Sequence, residues 1–473
     1  MSITADLFKM PETIELSSIT TAGHYILSSH LVRSLTKINK VGDIEGDLAA
    51  SWTINDGQLD YKFILKDSKF SNGEPISADD IVESIKRQIK MKTAVHFNFE
   101  RIKDVKALSG NEIQISLKSR DVNFLFDLSK PEFGVLHRND RMLGKNLLKF
   151  SISSGPFSLE KKEDSIYYLK ANEYFVGYPR APKKICLQGR DGQSQLKDLL
   201  SGKIDFMLPF DGISLDQHKK VLSSSEFTAF KPHIGFSYWI SLNPRSDLFK
   251  SLDERSSFQK FVFSWDNKFV DGIFYEKATQ LYLPDGDGRP TAKELDQIWK
   301  KILSEKSKRN FKNKRKLRVL PLKFSNSMID SLLNSLRDLY KVEIISYSSE
   351  DELVSLLKAN QFDIKISNND FSSIDLAENL KTTFNSSRPY VFLEEADPIR
   401  KFMDDLEEES SSSERSSIYK KISISLLERG LIAPLVHQRV WFYHKKELDI
   451  SAWATSFPEI SFWKTVVNGS QNQ

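Results

Sequence analysis

Cysteine is almost missing: Cys186 is the single thiol in 473 residues. That excludes an intramolecular disulfide and any multi-cysteine metal site. No stretch approaches the roughly 18 apolar residues that a membrane-spanning helix needs. The opening Met1-Ser2-Ile3-Thr4-Ala5-Asp6 lacks both the basic region and the apolar stretch of a signal peptide. Charge of one sign is scarce as well. The 68 basic and 64 acidic residues leave +4, too little field to argue for nucleic acid or an anionic membrane. The 8 histidines form no pair at metal-ligand spacing. His24 and His30 fall on different faces of a helix, so no metal site is expected. There is no Gly-x-Ser-x-Gly elbow, no Walker loop and no Gly-x-Gly-x-x-Gly. Enzymatic activity and a cofactor therefore have no positive support.

What is present begins with size. A chain this long exceeds one ordinary core, so two or three lobes are expected. With 40% hydrophobic and 28% charged residues it reads as a soluble globular protein. The segment Gly46 to Arg87 is the most informative. Leu59, Tyr61, Phe63 and Leu65 alternate with polar residues, as in a half-buried strand. Asn72-Gly73 is a turn signal. Ser77 and Asp80 make a capping box before a helix with Ile81, Ile85 and Ile89 on one face. Cys186, in Lys184-Ile185-Cys186-Leu187, reads as a strand residue with an inert buried thiol.

The order of these pieces resembles the large solute-binding proteins of oligopeptide and dipeptide ABC transporters. That family carries a Leu-Ala-x-Ser-Trp block, a Tyr-x-Phe-x-Leu strand, Phe-x-x-Gly and a helix opening on Ala-x-Asp. Further along, Ser153-Ser154-Gly155-Pro156-Phe157 is similar to its Gly-Thr-Gly-Pro-Tyr. Asn172, Tyr174 and Phe175 resemble its Asn-x-x-Tyr-Trp, and Leu199 to Asp205 its Leu-x-x-Gly-x-x-Asp helix end. The likeness is specific over the first 210 residues and looser beyond, where Asp253, Arg255 and Asp266 remain of a helix motif.

Other elements follow from local pattern. Lys9–Leu16 reads as a first strand and His24–Thr36 as a helix. Thr291 and Glu294 cap a helix with Leu295, Ile298, Trp299 and Ile302 inward. Strands at Leu317–Leu322, Val342–Tyr347 and Phe362–Ile366 alternate with helices containing Met328, Leu332 and Leu336, then Leu353, Leu356 and Leu357. Such β-α-β-α-β order predicts a parallel sheet, whose ligands bind beyond the carboxyl ends of its strands. Ser367 to Phe371 is expected as the loop leaving the third strand. Lys306–Arg318 reads as a basic surface loop, and Asp404–Ser417 as a polar low-complexity one.

The resemblance implies an α/β, two-lobed fold of the periplasmic-binding-protein type (class II). An extra α+β domain and a cleft between the lobes belong to it. The first lobe would comprise 1–42, 151–242 and 431–473, the extra domain 43–150, and the second lobe 243–430, with crossings near Asn243 and Leu431. In the family a Trp-x-x-Asp-Tyr segment lies in the cleft, and its Asp can hold a peptide's ammonium. Asp370-Phe371 match Asp-Tyr, Ser367 stands at the Trp position, and Asn368 and Asn369 lie between. The bland alternative for Asp370 is an exposed loop carboxylate or a helix cap. Tyr238 and Trp239 are adjacent on one strand, so one can line the cleft while the other packs inside. His437 matches a position where relatives present an aromatic ring, against the alternative of a structural histidine. Ser154 completes the expected ligand contacts.

The implied function is a solute-binding protein that delivers a peptide, or a related small solute, to a membrane ABC permease. A monomer is expected, outside the cytoplasm, with its export signal already removed. A cytoplasmic ligand sensor of the same fold is the first alternative, and a peptide hydrolase the second.

Overall fold

The computed structural model describes residues 2–40, 43–91, 99–108, 111–141, 148–177, 180–209, 212–232, 235–265, 268–283, 288–304, 314–322, 327–370, 376–384, 391–394, 397–409, 411–453 and 460–468. The chain divides into two compact units, Met1–Pro232 with Val440–Gln473, and His233–Arg439.

The first unit is built on a seven-stranded sheet. Its centre is Ser2–Asp6, parallel to both Lys184–Gln188 and Phe206–Met207. The expected strand at Lys9–Leu16 does not form. Phe8 has a φ of 70°, which turns the chain out of the sheet, and Leu16–Ser18 closes a short 3-10 turn. The first helix is Ala22–Leu31, shorter than expected. It stops where Gly155 crosses its end: a Cβ at Gly155 would meet the Leu31 carbonyl carbon at 2.4 Å. Cys186 lies on its strand as expected but is only half-buried.

Within the same unit, Ala49–Ile54, Asp60–Leu65, Glu112–Leu117 and Ile102–Ala107 form a four-stranded antiparallel sheet in that spatial order. The helix Ala78–Met91 packs on it through Ile81 and Ile85, against Phe63, Ile113 and Ile115. Its capping box is made as the sequence predicts. Asp80 N–H donates to Ser77 Oγ at 3.2 Å, and Ser77 N–H to Asp80 Oδ2 at 2.9 Å.

The second unit holds a six-stranded sheet. Its order is Tyr275–Lys277, Ile432–Arg439, Gly235–Leu242, Ile364–Asp370, Lys316–Leu320 and Lys341–Ile344. The last three strands are mutually parallel and are joined by the helices Ser327–Leu339 and Glu350–Lys358, the β-α-β-α-β unit expected from pattern. The helix Ala292–Ser304 buries Leu295, Ile298, Trp299 and Ile302, again as predicted.

Three expectations differ here. Ser367–Asp370 are strand, not loop, because their main chain pairs antiparallel with Phe236–Trp239. Most of Asp404–Ser417 is helical, in Pro398–Glu408 and Ser412–Glu428, with Leu406 buried and Ser411 capping the second helix. The strands that contain Asn243's neighbour Leu242 and residue Ile432 pair directly, so both lie wholly in the second unit. Most of the basic segment Lys306–Arg318 lies outside the described residues.

Candidate functional site

The strand Gly235–Leu242 is buried on both faces, and alternation sends its side chains into two separate cores. Tyr238, Ile240 and Leu242 join one, with Val319, Leu332 and Ile366. Trp239 joins the other, with Trp299, Leu380 and Ile422. The Trp239 face is unusually polar. In the ladder Ser237 stands opposite Asn369 and His437, Trp239 opposite Ser367, and Ser241 opposite Lys365. Directly opposed residues share a face, so these side chains form a polar strip across three strands.

Most of that strip is internally satisfied. Ser237 Oγ and His437 Nδ1 are 2.9 Å apart, and both residues are buried. The Trp239 indole N–H donates to Ser241 Oγ at 2.9 Å. Arg439 is clamped by two hydrogen bonds to the Glu276 carboxylate, at 3.1 and 3.0 Å. Ser367 is the exception. It is 0% exposed, and its Oγ has no hydrogen-bond partner among the described residues. A buried hydroxyl without a partner calls for a water or another polar group.

A β-bulge sits inside this arrangement. Tyr238 pairs with Val436 but Trp239 pairs with Pro434, so Leu435 is the extra residue. Pro434 has no N–H to donate, and the interrupted ladder is where a strand tolerates it. The bulge lets His437 and Trp239 fall on the same face although the spacing Pro434 to His437 is odd.

The expected contacts are therefore placed as follows. Tyr238 and Trp239 both pack in cores, on opposite faces. The Tyr238 hydroxyl donates to Gln438 Oε1 at 2.9 Å, and burial raises its pKa strongly. Asn368 hydrogen-bonds that phenol and opposes the shift. Asn369 is half-buried, and its amide donates at 3.5 Å to Asn379 O in the helix Leu376–Thr383. Asp370 closes its strand opposite Phe236. Phe371 lies outside the described residues. Ser154 belongs to the first unit, buried, with its Oγ donating to Val135 O at 2.6 Å and accepting from Arg33 N–H at 3.0 Å. It fastens the loop at Gly155 to the end of the first helix. Ser237, Glu276 and Arg439 share the polar face and were not singled out from sequence. The available signal was alternation itself: Ser237-x-Trp239-x-Ser241 and Lys365-x-Ser367-x-Asn369 put polar residues at period two in buried strands.

Among the described residues no group of three or more His, Cys, Asp or Glu side chains is placed to hold a metal ion. No described helix is long and apolar enough to cross a membrane.

Residues 43–259 match the model of the bacterial extracellular solute-binding proteins, family 5 Middle. Over that stretch, a little under half of the chain, the sequence is similar to that family. The chain is 25% identical over 262 residues to the Escherichia coli protein named "Probable D,D-dipeptide-binding periplasmic protein DdpA", covering 52% of this chain and 48% of the relative. The Escherichia coli nickel-binding periplasmic protein is 30% identical over 201 residues, covering 41% of this chain and 38% of the relative. The chain thus spans about half or less of the length of these curated relatives. Full-length likeness appears in solved structures. The periplasmic binding protein DppA of Helicobacter pylori, in complex with the peptide STSA, superposes with a TM-score of 0.73 at 17% identity, covering 99% of this chain and 98% of that one. Likeness at that identity speaks for the fold, the two-lobed α/β periplasmic-binding-protein fold. These relatives are named for what they bind, not for a reaction.

Proposed function

We propose that this chain binds a peptide, or a related small solute, outside the cytoplasm and hands it to the permease of an ABC importer. The observation that supports this reading best is the polar strip at the carboxyl end of Ile364–Asp370. That strand ends a parallel β-α-β-α-β unit, the end at which open α/β sheets take ligands. Asn369 on that strip and Asn368 on the opposite face beside Tyr238 are half-buried and offer amide donors and acceptors to a peptide main chain. Asp370 follows them and anchors the peptide's ammonium group. Trp239, Tyr238 and His437 position this edge from within. The names of the relatives, a dipeptide-binding protein and a nickel-binding one, make peptides the first class to try and chelated metals the second.

Thermal unfolding against a panel of di- to pentapeptides, sugars and metal chelates tests the reading. A ligand at 100 times its dissociation constant stabilises by about 2.7 kcal/mol. A midpoint shift with peptides is the expected result, and a shift confined to chelates or sugars would replace the peptide assignment. Asp370→Asn should then weaken free-amine peptides much more than N-acetylated ones. Equal weakening of both would remove Asp370 from the anchor role.

A further inference from the structure

A cavity of about 470 Å³ opens at the edge of the second unit's sheet. It lies where the short edge strand Tyr275–Lys277 ends, beside Pro434 and Leu435 of the neighbouring strand. The end of the helix Leu252–Ser264 supplies Val262 and Phe263, and Trp265, Val270 and Leu303 complete the apolar wall. This volume is in the range of small-molecule sites. The wall is also rigid. Phe263 stacks on Trp299 with centroids 4.3 Å apart, and Trp265 Nε1 donates to Ser335 Oγ at 3.1 Å.

One charged side chain lines the cavity, Lys277. Its ammonium lies 3.8 Å above the Phe263 ring and donates to Phe263 O at 2.7 Å. No carboxylate among the described residues pairs with it. Glu276 beside it is held by Arg439, and Asp271 accepts from the main-chain N–H groups of Ile273, Phe274 and Tyr275. Lys260, the nearby cation on the helix, is turned to Leu303 O at 2.7 Å. An ammonium carries three donors, so Lys277 keeps two for a ligand. Burial lowers its pKa, as a cation without an anionic partner requires.

We propose that this cavity is a second binding site, which takes an amphipathic monocarboxylate. The carboxylate sits on Lys277 Nζ, and the hydrocarbon chain lies along Val262, Val270, Leu303 and Leu435. The site lies on the bulge that sets the register of His437, yet it shares no residue with the polar strip. It stands whether or not the peptide reading does.

Octanoate is the probe, followed by calorimetry and by the fluorescence of Trp265 and Trp299. Saturable binding at one site per chain is expected, with octanol much weaker. Lys277→Gln should weaken octanoate roughly tenfold or more, the share of one charge-assisted hydrogen bond. Lys277→Arg should retain most of the affinity. Val270→Trp, at a position 36% exposed, fills the cavity without disturbing the core and should also abolish binding. A peptide that binds elsewhere should not compete. Absence of octanoate binding, or equal affinity in wild type, Lys277→Gln and Val270→Trp, would overturn the proposal.

Discussion

The imidazole of His30 accepts a hydrogen bond from the main-chain N–H of Phe462 at 3.3 Å, and so ties the first helix to a segment near the other end of the chain. Its Nδ1 donates to Ile26 O at 2.7 Å, and the ring lies among Phe157, Phe462 and Trp463. Both nitrogens are committed to the neutral ring. Burial, opposed by the Ile26 bond, takes its pKa from 6.5 down to about 4. His24 is pushed to about 4 as well, by burial against the Glu15 charge, and its Nε2 accepts from Glu15 N–H. Each histidine takes a proton near pH 6.5 when unfolded but only near 4 when folded. Stability is therefore full above 6.5 and drains away between 6.5 and 4, by at most about 3 kcal/mol for each. Urea unfolding at pH 7.5, 5.5 and 4.5 should show that slope. His30→Gln should be less stable at neutral pH and show a shallower loss in acid.

Glu132 gives the opposite slope. It is 1% exposed, and neither carboxyl oxygen has a hydrogen-bond partner among the described residues. Burial raises its pKa from 4.5 to about 7, against the pull of Lys130. The folded protein therefore holds a proton there that the unfolded chain releases. The related stability is present below pH 4.5 and is lost as pH rises through 7, up to about 3 kcal/mol. Glu132→Gln keeps the shape and removes the titration. The variant should be more stable than wild type at pH 8.5, with the gain vanishing by pH 4.5, by urea unfolding. A variant that tracks wild type at every pH would mean that Glu132 is charged and paired.

Arg87, on the helix Ala78–Met91, reaches back to Glu15 with bonds of 2.9 and 2.7 Å, and both side chains are almost fully buried. Burial raises the Glu15 pKa, but Arg87 and the Ser17 N–H more than offset it, so the carboxyl stays below its usual range. This pair holds the four-stranded part of the first unit to its opening segment. Arg87→Met leaves a buried carboxylate without its cation and should cost about 3–5 kcal/mol, whereas the double replacement with Glu15→Gln should recover much of that loss. A double-mutant cycle by urea unfolding at pH 7 measures the coupling.

Legibility from sequence followed the range of the interactions. Capping boxes at Ser77 and Thr291 are complete within four residues, and both form as read. The β-α-β-α-β unit was readable because each piece carries its own period. Ser367–Asp370 was read as loop because its strand character comes from Phe236–Trp239, remote in sequence. Asp404–Ser417 misled by composition: a serine run looks like a loop, yet Ser411 is a helix cap and Leu406 fills a core. Of the candidate site, the segment 367–371 was singled out through its resemblance alone, and its residues 367–370 are strand where a loop was expected. The burial of Trp239, Tyr238 and His437 was not, because it depends on which helices cover each face of the sheet.

Ser367 and Asn369 stand two residues apart on one face of one strand, yet they should respond in opposite ways. The Ser367 hydroxyl is enclosed and unpartnered, so the folded protein carries its desolvation without return. Ser367→Ala should therefore leave peptide affinity unchanged and raise stability by about 1 kcal/mol. Asn369 is half-buried, and its amide bond to Asn379 O is long at 3.5 Å, a partner that it can exchange for a ligand. Asn369→Ala should keep stability within about 0.5 kcal/mol of wild type. It should weaken peptide binding by roughly fivefold to tenfold, the worth of one hydrogen bond. Calorimetry with the tightest peptide from the unfolding panel, beside urea unfolding of both variants, separates the two effects. Reversal of the pattern, with Ser367→Ala losing affinity and Asn369→Ala losing stability, would place the ligand deeper in the sheet and make Asn369 part of the helix contact.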